Sequence, residues 1–218
     1  SGEVPESRRP WSDTYWPSRS AGVSFRWMGM TSDFFTYELH SEAELKNMSR
    51  DELAVLSPAE KYDIFMGRFD YPTVVRERTR TSPNDEGWEG LCHGWAASSL
   101  LYAEPMPRDM VSASGLVVPF GSADVKALLT YYEGEIRRNA GSRHVGVRCN
   151  ADLNTNPEYS DKPECRDTNA GAFHVVLANL LGKAGQGFVL DVNRGREVWN
   201  QPLIRYTTKV VGESGPSE

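Results

Sequence analysis

The stretch "AGAFHVVLANLLGKAGQGFVLDVN", residues 170–193, decides how this chain is read. It holds two apolar runs, 173–181 and 188–192, parted by the glycine-rich "GKAGQG". β-Branched Val175, Val176, Val189 and Val192 predict two antiparallel strands joined by a four-residue loop at 182–185. In that register Leu181 pairs with Gln186 and His174 faces Asn193, with Asp191 on the diagonal; a slip of two residues sets Asp191 directly opposite His174. Val189, Asp191 and Asn193 share one strand face, and two polar groups on a buried face need partners. Because the glycines precede no helix, the loop reads as a turn and not as a phosphate cradle.

Two neighbouring stretches extend the sheet: "RHVGVRC" at 143–149 and "EVWNQPLIRYTTKVV" at 197–211. The half before them reads as helical. Ser41 is followed by Glu44, and Ser57 by Pro58 and Glu60, both in capping-box spacing. A third helix starts at Ser122 and sets Val125, Leu128, Leu129 and Tyr132 on one face, with Arg137 and Arg138 at its negative end. Helices first and an antiparallel sheet second predict an α+β fold. The expected organisation is one catalytic domain over 1–218, with an aromatic-rich wrap at 1–40, a helical part at 41–140, a strand part at 141–211 and a disordered tail at 212–218.

Lys and Arg total 24 against 30 Asp and Glu, a net charge of −6, which excludes a basic stripe for nucleic acid. The longest apolar stretch, 171–182, is interrupted by His174 and Asn179 and falls short of the roughly 20 residues that span a bilayer. No membrane span is expected.

Three cysteines leave one thiol over. Cys149 and Cys165 flank a polar stretch with little apolar material to hold it, so a disulfide between them is expected, and with it an oxidising, extracellular location. Cys92 remains, in "GWEGLCHGWAASSLLYAEP" at 87–105, at the start of a predicted helix that ends before Pro105. First-turn amides there favour an anionic sulfur and a nucleophilic role. Consecutive helix residues do not share a face, so His93 is badly placed as its base. His40 lies beside a cap and His144 is the runner-up, which leaves His174, with a satisfied core histidine as the alternative reading. Cys92, His174 and then Asp191 or Asn193 is the chain order of a papain-type triad.

The segments "LSPAEKYDIFMGRFDYP", "WEGLCHGWAASSL", "CRDTNAGAFHVVLANLLG" and "EVWNQP" (197–202) resemble the transglutaminase elicitor family of Phytophthora and related oomycetes, with relatives in marine Vibrio. The likeness runs from Trp11 to Tyr206. It implies a secreted, calcium-dependent protein-glutamine γ-glutamyltransferase with a papain-like core, Cys92 as nucleophile, His174 as base, Asp191 as acid and Asn193 as its alternate. Oomycete members continue "VWNQP" as Val-Arg-Gly-Phe in the peptide that plants detect, whereas here Leu203 and Ile204 follow. The chain is also shorter than those enzymes.

The expected partners are therefore proteins offering glutamine and lysine. Trp88, Trp95 and Trp199 are candidate walls of the substrate channel, with the Trp88 indole a further candidate as second oxyanion donor after the Cys92 amide. The same triad would serve a cysteine protease or a glutamine amidase, and a secreted binding or elicitor protein with a vestigial site is a more distant alternative. For calcium, "DLNTNPE" offers Asp152, Asn154, Asn156 and Glu158, although Pro157 stands where an EF-hand loop needs glycine. No organic cofactor is expected.

Overall fold

Ser41 and Ser49 each open a helix with the same reciprocal cap: the hydroxyl accepts the amide of Glu44 or Glu52, whose carboxylate returns to the serine N–H at 2.7 Å. These helices are α1 (Glu42–Leu45) and α2 (Arg50–Ala54). Ser57 repeats the device for α3 (Pro58–Phe65), with proline at the first helical position. The structure, a computed structural model, describes residues 1–27, 34–137, 141 and 143–212. Arg138, at the predicted end of the third helix, and the tail from Glu213 onward lie outside these.

α4 (Pro72–Arg80) begins at Tyr71, which has φ 50° and supplies no side-chain cap. Asp63 on α3 supplies it from outside, its Oδ2 accepting the amides of Thr73 at 2.9 Å and Val74 at 3.2 Å. α5 (Cys92–Leu101) and α6 (Ser122–Tyr131) follow, and α6 runs on as a π-helical turn, Tyr132–Ile136. Two backbones meet closely here: a Cβ on Gly94 of α5 would stand 2.2 Å from the Thr130 carbonyl of α6. Only glycine permits that approach.

Leu45, Ile64, Val74, Leu91 and Val118 are buried together in the main core. Beside it lies an ion pair, Lys61 Nζ to Asp124 Oδ2 at 2.6 Å, with side chains 1% and 2% exposed. Asp124 also accepts the Trp27 indole N–H at 2.7 Å, and Lys61 donates to the Ala54 carbonyl at 2.7 Å. A buried pair persists only when its remaining hydrogen-bonding capacity is met in this way.

The first strand, β1 (Gly2–Glu3), belongs to the amino-terminal wrap. Residues 6–24 of the wrap include three short 3₁₀ turns, with the Trp11 indole bonded to the Tyr102 carbonyl at 3.1 Å and Trp16 buried. β2 (Arg108–Val111) and β3 (Val117–Phe120) form an antiparallel hairpin inside the part expected to be helical.

After the disulfide loop come α7 (Ala170–Val176), a π-helical continuation at Leu177–Lys183, β4 (Phe188–Asp191), β5 (Asn200–Leu203) and β6 (Arg205–Tyr206). β4 pairs with β5, and β6 with β1, each antiparallel. Helices and small antiparallel ladders make an α+β structure. In place of one C-terminal sheet, the described strands form three separate two-stranded ladders.

The largest correction falls on the stretch that decided the sequence reading. Residues 170–176 are helix, not strand, and β4 turns to β5 instead of pairing back onto 173–181. Asn169 caps the helix, its Oδ1 accepting the Ala172 amide at 3.1 Å. Phe173, Leu177 and Leu181 recur every fourth residue and pack with Val4, Phe188 and Leu203 in a second core. Val175, which argued for a strand, is 58% exposed. Residues 143–149 form no strand either. On α6, Val125 and Leu128 pack against the main core as expected, but the fully buried positions are Asp124, Lys126, Ala127, Thr130 and Tyr131, and Tyr132 stands 45% exposed.

Candidate functional site

Cys92 is the first residue of α5, and its side chain is buried. The turn before it is fixed by the Leu91 amide, which donates to the Tyr15 carbonyl of the wrap at 2.6 Å. The amides of the first helical turn have no capping side chain at this end. The β4–β5 hairpin packs over this helix start.

The first residue of β5 and the segment just before it supply the two polar contacts to the sulfur. Cys92 Sγ donates to the Val198 carbonyl at 3.4 Å, and Asn200 Nδ2 donates to Sγ at 3.7 Å. Val198 and Asn200 both lie in "EVWNQP". Two sequence motifs more than a hundred residues apart thus converge on one sulfur atom.

Asp191 stands directly across the ladder from Asn200. Its Oδ1 accepts the amides of Trp199 at 2.9 Å and Asn193 at 3.1 Å, so it holds the turn between β4 and β5. Asn193 Oδ1 accepts the Gly195 amide at 2.6 Å within that turn.

His174 lies on α7 with its side chain exposed. No hydrogen bond joins its ring to Cys92, Asp191 or Asn193, and the hairpin that was to deliver it is replaced by helix. The structure therefore brings Cys92, the 198–200 edge and Asp191 into one neighbourhood, and leaves His174 unconnected to them by any bond. His93, set aside as a base, points its Nε2 at the Gly134 carbonyl, 3.2 Å away.

The tryptophans divide. Trp199 packs edge-on against Tyr15, with ring centres 5.5 Å apart, and its indole donates to Glu197. Trp95 donates to the Trp11 carbonyl at 3.3 Å and so ties α5 to the wrap. The Trp88 indole N–H is buried without a hydrogen-bond partner, and the Arg148 guanidinium lies 5.6 Å from its ring centre.

Cys149 and Cys165 are bridged. The loop they close is wired to the hairpin: Arg194 donates to the Cys165 and Ser160 carbonyls, and Arg148 to the Arg196 carbonyl at 3.1 Å. An open cavity of about 370 Å³ borders the bridge and is lined by Asn150, Asp152, Asn156, Tyr159 and Glu164. It touches none of Cys92, His174 or Asp191, so it is separate from the site above.

The calcium candidates sit in that loop but do not form a cage. Asp152 Oδ1 accepts the Asn154 amide at 3.0 Å, and the Asp152 carbonyl takes both Asn156 nitrogens. These bonds satisfy the loop internally, and Pro157 then starts a 3₁₀ turn. Among the described residues no group of three or more His, Cys, Asp or Glu side chains gathers for a metal. Asp152 and Asn156 thus spend polar atoms on bonds within the loop.

Asn200, which the sequence did not single out, is the side chain that meets the sulfur. It was visible inside "VWNQP", but this contact depends on pairing β5 with β4, and the expected partner of β4 was the run that proves helical.

An α+β body carrying a buried cysteine at a helix start, with a β-hairpin across it, defines a class of thiol-bearing folds. Within that class the model of the transglutaminase elicitor family matches residues 75–216, and the chain belongs to this family. The crystal structure of the GP42 transglutaminase from Phytophthora sojae is similar in fold, with a TM-score of 0.57 and 22% sequence identity. The alignment covers 93% of this chain and 54% of that one, so the present chain spans about half the length of its structural neighbour. No match is found among curated proteins. Among the described residues no helix is long and apolar enough to cross a membrane.

Proposed function

We propose that this chain is a protein-glutamine γ-glutamyltransferase that works through a Cys92 thioester. The observation that carries the reading is the meeting of "CHGWA" and "VWNQP" at the Cys92 sulfur, in a chain whose family model spans both motifs. The fold neighbour, itself a transglutaminase, supports the same reaction class.

In the resting arrangement the thiol proton is held by the Val198 carbonyl, so a base must remove it. The proposal gives that task to His174. The assignment rests on the "AGAFH" motif and not on a contact with Cys92, and it requires the α7 imidazole to reach the sulfur in the complex with substrate. Asp191 balances the imidazolium with the carboxylate oxygen that its turn bonds leave over; Asn193 is the alternate.

The sulfur attacks the side-chain amide carbon of a protein-bound glutamine, and the C=O electron pair moves onto oxygen. The intermediate collapses as imidazolium protonates the nitrogen, releasing ammonia and leaving a thioester. A lysine amine then attacks the thioester carbon, gives its proton to His174 and expels the sulfur, forming an isopeptide bond. Water in place of lysine gives hydrolysis, so Trp88 and Trp199 are proposed as walls that limit its access. The disulfide suits a secreted setting.

The test is incorporation of a fluorescent primary amine into a glutamine-rich acceptor protein by the parent, Cys92→Ala and His174→Ala, with calcium and with chelator. Cys92-dependent labelling is expected. Cys92-dependent ammonia release or peptide cleavage without labelling would replace the transferase with a hydrolase. Labelling that survives in Cys92→Ala would end the reading, and labelling lost in chelator would make calcium part of it.

A further inference from the structure

We infer that Asn200 is a catalytic residue of this site, donating a side-chain N–H to the oxyanion that forms when Cys92 is acylated. The inference rests on the acyl-transfer reading of Cys92, and it assigns the second donor that this chemistry requires.

The orientation of the carboxamide follows from the sulfur's other bond. A thiol has one hydrogen, and that of Cys92 is directed to the Val198 carbonyl. The face of the sulfur turned to Asn200 can therefore only accept, so the carboxamide presents its Nδ2 hydrogen there, 3.7 Å from Sγ. Asn200 does not hold this position by chance of rotamer alone. It begins β5 and pairs in register with Asp191, whose carboxylate fixes the preceding Trp199 amide at 2.9 Å. The α5 start is held from the other side by the Tyr15 carbonyl. Donor and sulfur thus belong to two elements anchored independently, which is the condition for a preorganised donor.

The spacing suits the intermediate. The oxygen of a carbon bonded to Sγ stands a little under about 3 Å from the sulfur, so to one side of the 3.7 Å line from Sγ to Nδ2 it can also lie at the roughly 3 Å that an oxyanion donor needs. The Cys92 backbone amide, free at the helix start, supplies the first hydrogen bond. Trp88 is the competing candidate, since its indole N–H is buried and unpartnered, but its ring faces the Arg148 guanidinium and its N–H makes no hydrogen bond to the sulfur. Asn200 is the side chain that touches the reacting atom.

The step balances without any further reactant. The thiolate electron pair forms the S–C bond, the carbonyl π pair moves to oxygen, and the Asn200 and Cys92 N–H groups neutralise that charge. Its return expels the leaving group and leaves both donors unchanged.

The test separates this role from simple positioning of the thiol, and from the choice of glutamine as substrate. The acylation burst with p-nitrophenyl acetate is measured for the parent, Cys92→Ala, Asn200→Ala and the uncharged, similarly shaped Asn200→Leu, alongside alkylation of Cys92 by iodoacetamide, a displacement that forms no oxyanion. Near-UV circular dichroism checks the fold. We expect a Cys92-dependent burst that slows about 10²–10³-fold in both Asn200 variants, while alkylation, which loses only the Asn200 N–H donated to the sulfur, falls by far less. A burst at the parent's rate in both variants overturns the inference, and so does a parallel fall in alkylation, which would make Asn200 a support for the sulfur. An Asn200-dependent burst in a protein that incorporates no amine keeps the inference and removes the transglutaminase reading. A parent without a Cys92-dependent burst overturns both.

Discussion

Asp191 and Asn200 are cross-strand partners on β4 and β5, yet only Asn200 reaches the Cys92 sulfur; Asp191 spends Oδ1 on the amides of Trp199 and Asn193. The acid proposed for the triad is therefore also the residue that shapes the edge facing the sulfur. Its two roles come apart by substitution. Asp191→Asn keeps an acceptor for both amides and loses the charge, so the melting temperature should stay near the parent's while amine incorporation falls by about 10²–10⁴-fold. Asp191→Ala should also lower the melting temperature, because two amides lose their partner. Full activity in Asp191→Asn would confine the residue to the turn.

Gly94 sets how closely α5 approaches α6, and through it where Cys92 stands. An alanine there would push its methyl to 2.2 Å from the Thr130 carbonyl and 3.0 Å from the Gly134 amide nitrogen, both backbone atoms. Neither can swing aside as a side chain would. Gly94→Ala should therefore cost about 1–3 kcal/mol or more, read as a fall of about 2–4 °C in melting temperature per kcal/mol for a chain of this size. An unchanged melting temperature would show that the helix pair has slack.

What the sequence disclosed and what it hid follow one physical division. Local signals read truly: the Ser41 and Ser57 caps, the helix starting at Cys92, and the pairing of Cys149 with Cys165 in a polar loop are all present. Each depends on neighbours in sequence or on simple elimination. The run at 173–181 was misread because a short apolar segment with valines fits a strand and a buried helix equally well, and the cap from Asn169 was the overlooked arbiter. That one error carried the hairpin, the register and the placing of His174 with it. Asn200 was hidden for the same reason, since its role appears only when β5 is seen to pair with β4. The long-range cap that Asp63 gives α4 left no sequence signature at all.

The disulfide is tied to the site through arginines, so reducing it should have two effects. The bridge joins cysteines 16 positions apart, for which chain entropy gives about 3 kcal/mol. Its loss should lower the unfolding free energy by about 2–4 kcal/mol, seen as a lower urea midpoint for Cys149→Ser with Cys165→Ser. It should also slow amine incorporation, because Arg194 holds the carbonyls of Cys165 and Ser160 from the segment that leads to Val198. A destabilised variant with unchanged turnover, assayed well below its midpoint, would show that the loop and the site are mechanically separate.

Asp63 offers a prediction about pH. Burial pushes its carboxyl above the usual 3.8, and the hydrogen bonds from Thr73 and Val74 only partly oppose this. A group whose folded pKa lies above its unfolded value binds its proton more tightly in the folded state. Its contribution to stability is thus fully present below the unfolded value and is lost as pH rises through the folded one, so that at neutral pH the buried charge is a standing cost. Asp63→Asn keeps an oxygen for the Thr73 and Val74 amides and removes the charge. It should be at least as stable as the parent at neutral pH, and that advantage should shrink on acidification through the range just above 3.8. Urea unfolding of both proteins across mildly acidic pH measures the difference directly. If the variant is instead the weaker at neutral pH and gains on the parent in acid, then the negative charge at the start of α4 favours the helix by more than its burial costs.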